Sequence, residues 1–246
     1  GYTGPKTSFV LKNGHPSIAY QFSEDHSDSK VIKYSYFVNN RWVSNVVTNS
    51  QLSQSGIDLK VHQNKIGLAY IDESGYVSIL ESHDNGKTWI NVDGLSKRVE
   101  QQSYASGSVS LNYCRNGNPH LSYYVPGGGV QFAKPSQSLF GKTWAFAVLD
   151  SHTTYGGKYL DGVIDYASRD RISFYDSLSG DLRLVKFNNK RASFDQAFTA
   201  DGGGKFNDRV GEYSSIGINS YGQTVISYYN LSKGRLQYYI EPYNPN

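Results

Sequence analysis

One three-residue pattern recurs five times along the chain and constrains its fold more than any other feature. Ile18-Ala19-Tyr20, Leu68-Ala69-Tyr70, Leu121-Ser122-Tyr123, Ile172-Ser173-Phe174 and Ile226-Ser227-Tyr228 each place a large apolar residue, then Ala or Ser, then an aromatic ring. Their first members are 50, 53, 51 and 54 residues apart. A period of this length means that one supersecondary unit is copied, each copy burying its apolar face on its neighbours. The small middle residue marks a face that another sheet approaches closely.

Each repeat carries more strands. After the triplet come Ile32-Lys33-Tyr34, Val77-Ser78-Ile79, Val130-Gln131-Phe132, Leu182-Arg183-Leu184 and Leu236-Gln237-Tyr238, which alternate apolar and polar as half-buried antiparallel strands do. Before it come Ser8-Phe9-Val10, Ile57-Asp58-Leu59, Ser108-Val109-Ser110, Val163-Ile164-Asp165 and Ser215-Ile216-Gly217, read as innermost strands. A fourth strand carries Trp42, Trp89, Trp144 and, in degenerate form, Phe194. The expectation is an all-β five-bladed β-propeller with four-stranded antiparallel blades of about 51 residues. One domain spans 1–246, with blades at 7–49, 56–94, 107–150, 161–200 and 213–241. Paired β-sandwiches would repeat at half the chain instead. Composition agrees, since 14% of residues are aromatic and 25 are Gly, suited to pleated sheets and tight turns.

One turn is more specific. Ser82-His83-Asp84-Asn85-Gly86-Lys87-Thr88-Trp89 offers short side-chain acceptors, a Gly for a left-handed position and a Trp to anchor the next strand. It resembles the Asp-box of sialidase-type propellers, through Ser82, Asp84, Gly86, Thr88 and Trp89. In that family the box lies opposite the active site, so the resemblance implies architecture rather than activity. Asn39-Asn40-Arg41-Trp42 and Gly141-Lys142-Thr143-Trp144 keep the turn and the Trp but lack the Ser and Asp. The chain departs from sialidases in having five repeats rather than six and no early Arg-Ile-Pro motif. It also has few upper-face arginines, chiefly Arg98 and Arg209. Five-bladed arabinan- and fructan-cleaving enzymes are similar in blade number alone, and their acidic residue on the first inner strand has no counterpart in Thr7-Ser8-Phe9-Val10. Blade number and a polar, aromatic-rich face resemble five-bladed lectins of the tachylectin type.

The formal charge of +3, with no like-charge run beyond two, argues against nucleic acid as a partner. No apolar stretch is long enough to span a membrane. The single cysteine, Cys114, permits no internal disulfide and is expected buried in a strand. The absence of Met and the opening Gly1-Tyr2-Thr3 suggest a piece of a longer protein, secreted or at the cell surface. Asn230-Leu231-Ser232 matches a glycosylation sequon. After Leu236–Ile240 no fourth strand follows, which leaves a blade edge for a homo-oligomer or flanking-domain contact.

The outer-to-inner loops are long and polar, and Tyr104, Tyr155, Tyr159 and Tyr213 recur in them beside Asp161, Asp208, Arg209 and Glu212. Tyr76 adds a ring from another loop of the same face. Aromatic plates beside planar hydrogen-bonding groups suit a sugar, whose C–H face stacks while its hydroxyls bond in pairs. The candidate ligand-binding set is Tyr76, Tyr104, Tyr155, Asp161, Asp208, Arg209, Glu212 and Tyr213. No catalytic residue is assigned, although a glycosidase would need a carboxylate pair drawn from Asp72, Asp176, Asp208 and Glu212. The acidic run at Ser23–Ser29 lacks the Gly and final Glu of a calcium loop, no Cys/His spacing suggests zinc, and Gly127-Gly128-Gly129 opens no helix. No metal or cofactor is expected. Ser96–Tyr104 reads as a short helix, and His15 and His120 as turn residues. These features point to a lectin-like or adhesive domain binding glycans, with a glycoside hydrolase or lyase and a structural oligomerisation module as alternatives.

Overall fold

The computed structural model describes residues 2–23, 30–48, 52–72, 76–92, 108–125, 127–138, 141–150, 157–202 and 209–242. The fold is all-β, a five-bladed β-propeller, with no helix among the described residues. The first blade orders β1 (Tyr2–Lys12), β2 (His15–Ser23), β3 (Lys30–Val38) and β4 (Arg41–Thr48). The second orders β5 (Leu52–His62), β6 (Lys65–Asp72), β7 (Val77–Ser82) and β8 (Ile90–Asn91). The third contains β9 (Val109–Tyr113), β10 (Pro119–Val125), β11 (Gly129–Ser138) and β12 (Gly141–Asp150). In the fourth, β13 (Lys158–Ile164), β14 (Asp170–Asp176) and β15 (Asp181–Asn188) are followed by two short pieces, β16 (Ser193–Phe194) and β17 (Phe198–Asp201), both pairing β15. The last has three strands, β18 (Val210–Ile218), β19 (Thr224–Asn230) and β20 (Arg235–Ile240). The chain divides into two compact units, 1–111 with 136–144 and 112–135 with 145–246.

Apolar packing between successive blades follows one rule. In the first unit, Ile32 and Tyr34 of β3 pack with Leu59 of β5. In the second, Val130 and Phe132 of β11 pack with Leu160 of β13, and Leu182 and Leu184 of β15 with Ile216 of β18. The third strand of one blade thus meets the inner strand of the next. Each fully buried side chain of this size contributes roughly 1.5–3 kcal/mol.

The inner strands are joined by polar bonds as well. A first strand has one backbone edge that its own sheet leaves unpaired, and buried amides need partners. Ser8 Oγ accepts from the Leu59 amide at 2.9 Å and donates to Asp58 Oδ1 at 3.1 Å. Asp58 Oδ2 accepts from the Leu111 amide at 2.8 Å. In the second unit Asp161 Oδ2 accepts from the Ser215 hydroxyl and the Ile216 amide, both at 3.1 Å. The register places Ser8, Asp58, Asp161 and Ser215 opposite the middle residue of the recurring triplet in their own blades. Each clasp therefore reaches the amide one residue past its counterpart on the next strand, from Ser8 to Leu59 and from Asp161 to Ile216.

The Ser82–Trp89 turn joins β7 to β8, as its residue types predict. Ser82 Oγ accepts from the Gly86 amide at 2.8 Å and donates to Asp84 Oδ1 at 2.8 Å. Asp84 also accepts from the Lys87 and Thr88 amides and, at 2.6 Å, from the Thr88 hydroxyl. That hydroxyl, followed by the Thr88 amide, holds the Asp84 carboxyl well below the usual range. Gly86 sits at φ +83°, and a Cβ there would lie 2.3 Å from the Tyr34 ring. The Trp89 indole donates to the Gly86 carbonyl at 3.2 Å and meets Tyr34 edge-on at 5.5 Å. Trp42 is used differently: it is exposed and packs edge-on against Phe37 of its own blade.

A buried ionic network ties the end of the last blade to the fourth. Asp165 accepts from the Ala167 and Arg169 amides, from Arg169 Nε at 2.7 Å and from Arg171 Nη2 at 2.8 Å. Arg171 Nη1 donates to Glu241 Oε2 at 2.7 Å and to the Thr224 hydroxyl at 2.5 Å, and Lys186 pairs with the other Glu241 oxygen. Burial pushes the Asp165 carboxyl up, but the Arg169 amide and the Arg171 guanidinium outweigh it and hold it low. Burial opposes ionisation of Glu241 too, and the Lys186 and Thr224 bonds override it.

Three sequence expectations are corrected. The inner strand of the fourth blade is Lys158–Ile164, so Asp161 lies in a strand and Asp165 in the turn beyond it. Neither His15 nor His120 is a turn residue: His15 opens β2, and His120 is a β10 residue whose Nδ1 lies 2.9 Å from Asp170 Oδ1, its ring edge-on to Phe132. Cys114 sits past the end of β9, half-buried, with its thiol on Asn116 Oδ1 at 2.6 Å.

Asp58→Ala orphans the Leu111 amide and should cost about 1–3 kcal/mol in denaturant unfolding, with Asp58→Asn costing less because it keeps an acceptor. Asp165 and Glu241 both titrate below their unfolded values. Their contribution is therefore complete only well above the unfolded values, from about pH 5.5, and lost as pH falls through the folded values. Thermal midpoints measured from neutral to acid pH should drop on that limb, and Glu241→Gln should flatten the drop while lowering the neutral midpoint.

Candidate functional site

In the second unit the starts of β13 and β18 lie beside the end of β14, and side chains from all three converge. Both inner strands are irregular there, with register shifts between Lys158 and Asp161 and between Glu212 and Ser215. Tyr159 and Tyr213 occupy these bulges at φ +54° and +56°, a left-handed conformation that side chains of this bulk rarely adopt. Their rings are 4.3 Å apart at 41°, and Tyr175 at the end of β14 lies 6.3 Å from Tyr159. Tyr213 is exposed, so the cluster presents one ring to solvent and backs it with two others.

Arg209 and Glu212 flank the rings. Arg209 Nη2 donates to Glu212 Oε1, and the guanidinium lies near enough to the Tyr175 hydroxyl to pull its pKa down. Glu212 is buried, whereas the Arg209 side chain is more than half exposed. Burial, then the Tyr213 hydroxyl beside it, pushes the Tyr159 phenol up to about 12. Tyr175 is raised by burial, with Arg209 opposing. These two phenols therefore stay protonated at neutral pH and act as hydrogen-bonding hydroxyls rather than charges.

The backbone holding Arg209 is fixed at three points. The Arg209 amide donates to Ser232 Oγ at 2.8 Å, its carbonyl accepts from the Leu231 amide at 2.8 Å, and the Val210 amide bonds the Gly180 carbonyl at 2.8 Å. Gly211 follows at φ +112°, where a Cβ would lie 2.8 Å from Leu182 Cα. Only glycine allows β18 to pass this close to β15.

The predicted set is divided by the structure. Arg209, Glu212 and Tyr213 come together. Asp161 sits on the same inner strand as Tyr159, but its carboxylate is engaged by Ser215, Ile216 and the Gly162 amide. Tyr76 belongs to the first unit, at the turn from β6 to β7, where its amide donates to Asp72 Oδ1 at 2.8 Å. Tyr104, Tyr155 and Asp208 lie outside the described residues, as does the helix expected at Ser96–Tyr104. Tyr175 was not predicted; its signal is its place directly after the aromatic of the recurring triplet. The sequon Asn230 is buried, with its Nδ2 on Gln237 at 2.5 Å and its Oδ1 taken by the Lys233 amide, so its nitrogen is not presented for glycosylation. Among the described residues no cluster of three or more His, Cys, Asp or Glu is arranged to hold a metal ion.

The sequence matches no protein-family model and no curated protein. Its fold is similar to that of several solved structures. NanB sialidase from Streptococcus pneumoniae aligns over 98% of this chain and 42% of its own, with 17% identity and a TM-score of 0.60. A fungal lectin from Aleuria aurantia, described as a six-bladed β-propeller with a novel fucose recognition mode, aligns over 92% and 72%, with 13% identity and a TM-score of 0.55. An endo-arabinase from Bacteroides thetaiotaomicron aligns over 100% and 96%, with 11% identity and a TM-score of 0.52. At these identities the likeness is one of fold, shared by lectins and glycoside hydrolases.

Gly211→Ala should destabilise more than Gly222→Ala. Gly222 has φ +76° with open space around it, so alanine there meets mainly the left-handed penalty of roughly 1–2 kcal/mol. At Gly211 the Leu182 backbone must move as well. Paired unfolding curves check this difference.

Proposed function

We propose that this chain is a non-catalytic carbohydrate-binding domain of a secreted or cell-surface protein. The observation that carries the reading is the Tyr159–Tyr175–Tyr213 ring cluster with the Arg209–Glu212 pair at its edge. An exposed ring offers a stacking platform for the C–H face of a pyranose. A guanidinium beside a carboxylate offers donors and an acceptor side by side, the pattern that adjacent sugar hydroxyls need. The fold likeness to a fucose-recognising lectin supports the same direction.

Tyr76, Tyr104, Tyr155 and Asp208 stay in the proposal as separate candidate ligand-binding residues, on the residue types alone. The Asp-box resemblance of Ser82, Asp84, Gly86, Thr88 and Trp89 is assigned a structural role, with no part in binding. A glycoside hydrolase is the second reading, since the endo-arabinase shares the fold. Against it, Oε1 of Glu212, the carboxylate of the cluster, is already taken up by Arg209 Nη2.

A glycan-array screen that reads both retention and product release tests the two readings together. Retention without cleavage is expected. Tyr213→Ala and Arg209→Ala should each weaken binding of the retained glycan by about 1–2 kcal/mol, roughly five- to thirtyfold in Kd, with folding unchanged. Cleavage of any glycan would overturn the non-catalytic reading.

A further inference from the structure

Two turns beside the tyrosine cluster carry leucines that the turns themselves do not use. Asp176 and Asn230 end β14 and β19, each two residues past the aromatic of the recurring triplet, and both are buried. Asp176 Oδ1 accepts from the Leu178 amide at 3.0 Å and Oδ2 from the Ser179 hydroxyl at 3.0 Å, while Asn230 Oδ1 accepts from the Lys233 amide at 2.9 Å. Each turn closes on a left-handed glycine, Gly180 at φ +77° and Gly234 at φ +62°. Asx, Ser and Gly account for turns of this kind without help from an apolar side chain. Leu178 and Leu231 are nevertheless held in water, 69% and 37% exposed, and neither joins a core cluster of the second unit.

Both turns are fastened to the strand start that carries the polar pair. The Gly180 carbonyl accepts from the Val210 amide, the Arg209 carbonyl from the Leu231 amide, and Ser232 Oγ from the Arg209 amide, all at 2.8 Å. One leucine from the fourth blade and one from the fifth are thereby fixed relative to Arg209. A lone exposed leucine is ordinary. Two of them, anchored to the same strand start as an exposed ring and a guanidinium, make a largely apolar surface with a few placed polar groups, the composition of a small-molecule site.

Building on the sugar-binding reading of the tyrosine cluster, we propose that the ligand is a glycoside with an aliphatic aglycone, the sugar taken by Tyr213 and Arg209 and the chain lying across Leu178 and Leu231. A hydrophilic glycan would leave both leucines in water, whereas an alkyl chain removes their surface and its own from solvent. Leucine offers aliphatic area without a ring face, which suits a run of methylenes and gives a second sugar nothing to stack on.

Calorimetric titration with paired methyl and octyl glycosides of glucose, galactose, mannose and fucose, below their micellar concentrations, tests it. The octyl form of the bound sugar should bind roughly ten- to a hundredfold tighter than the methyl form, with a more negative heat-capacity change. Leu178→Ser and Leu231→Ser should each reduce that ratio, and the double variant should bring it close to one. Circular dichroism establishes that the variants are folded. Octyl-specific shifts of the Leu178 and Leu231 methyl resonances in the wild type give the same reading without substitution. Equal binding of the two forms, an octyl advantage that survives the double variant, or 1-octanol binding as tightly as the octyl glycoside would each overturn the aliphatic aglycone and leave the sugar reading standing. Silence of all these probes would overturn it too. The glycan array then separates the cases, since retention there keeps the sugar reading and its absence removes both.

Discussion

Everything else in this molecule depends on how one inner strand holds the next. An antiparallel blade satisfies its own backbone bonds except along its two edge strands, and stacking blades side by side does not by itself supply partners for the inner one. Ser8, Asp58 and Asp161 supply them, each from a position facing the small residue of the recurring triplet. The Ala or Ser opposite leaves room for a polar side chain to turn towards its neighbour. The triplet and the clasp are thus two halves of one device, the first giving closeness and the second exploiting it. Around that device the apolar third strands pack against the next inner strand within each unit.

Polar bonds also decide where the last blade ends. Glu241 lies beyond β20, yet its carboxylate is met by Arg171, Thr224 and Lys186 and its backbone by Thr224 and Gln223. Removing one member of such a buried group leaves an uncompensated charge, which costs more than the intact group contributes. A three-stranded blade keeps its last strand through this anchor and the β19 ladder.

Local chemistry made much of this legible. The triplet exposed the repeat, the alternating runs exposed the third strands, and the residues from Ser82 to Trp89 announced their turn, because each is a short-range signal. The fourth inner strand was harder. Val163 and Ile164 looked like its centre, whereas the bulge at Tyr159 starts the strand earlier and leaves Asp165 to cap the following turn. His120 illustrates the same limit, since its partner Asp170 is fifty residues away in sequence. Residue types suggested Arg209, Glu212 and Tyr213. What they could not reveal is that two tyrosines would take left-handed backbone to meet, or that Asp161 would be occupied by the neighbouring blade.

The left-handed tyrosines have a consequence for recognition. Tyr159 and Tyr213 are held off their preferred backbone by the bulges of two well-paired strands, so their orientation is decided when the sheet forms, not when something binds. A ring fixed in advance has little rotational freedom left to surrender on contact. Were the cluster to bind as proposed, its affinity would be drawn from folding energy already committed elsewhere, and sequence changes that relaxed the two bulges would make the protein sturdier and its surface less discriminating.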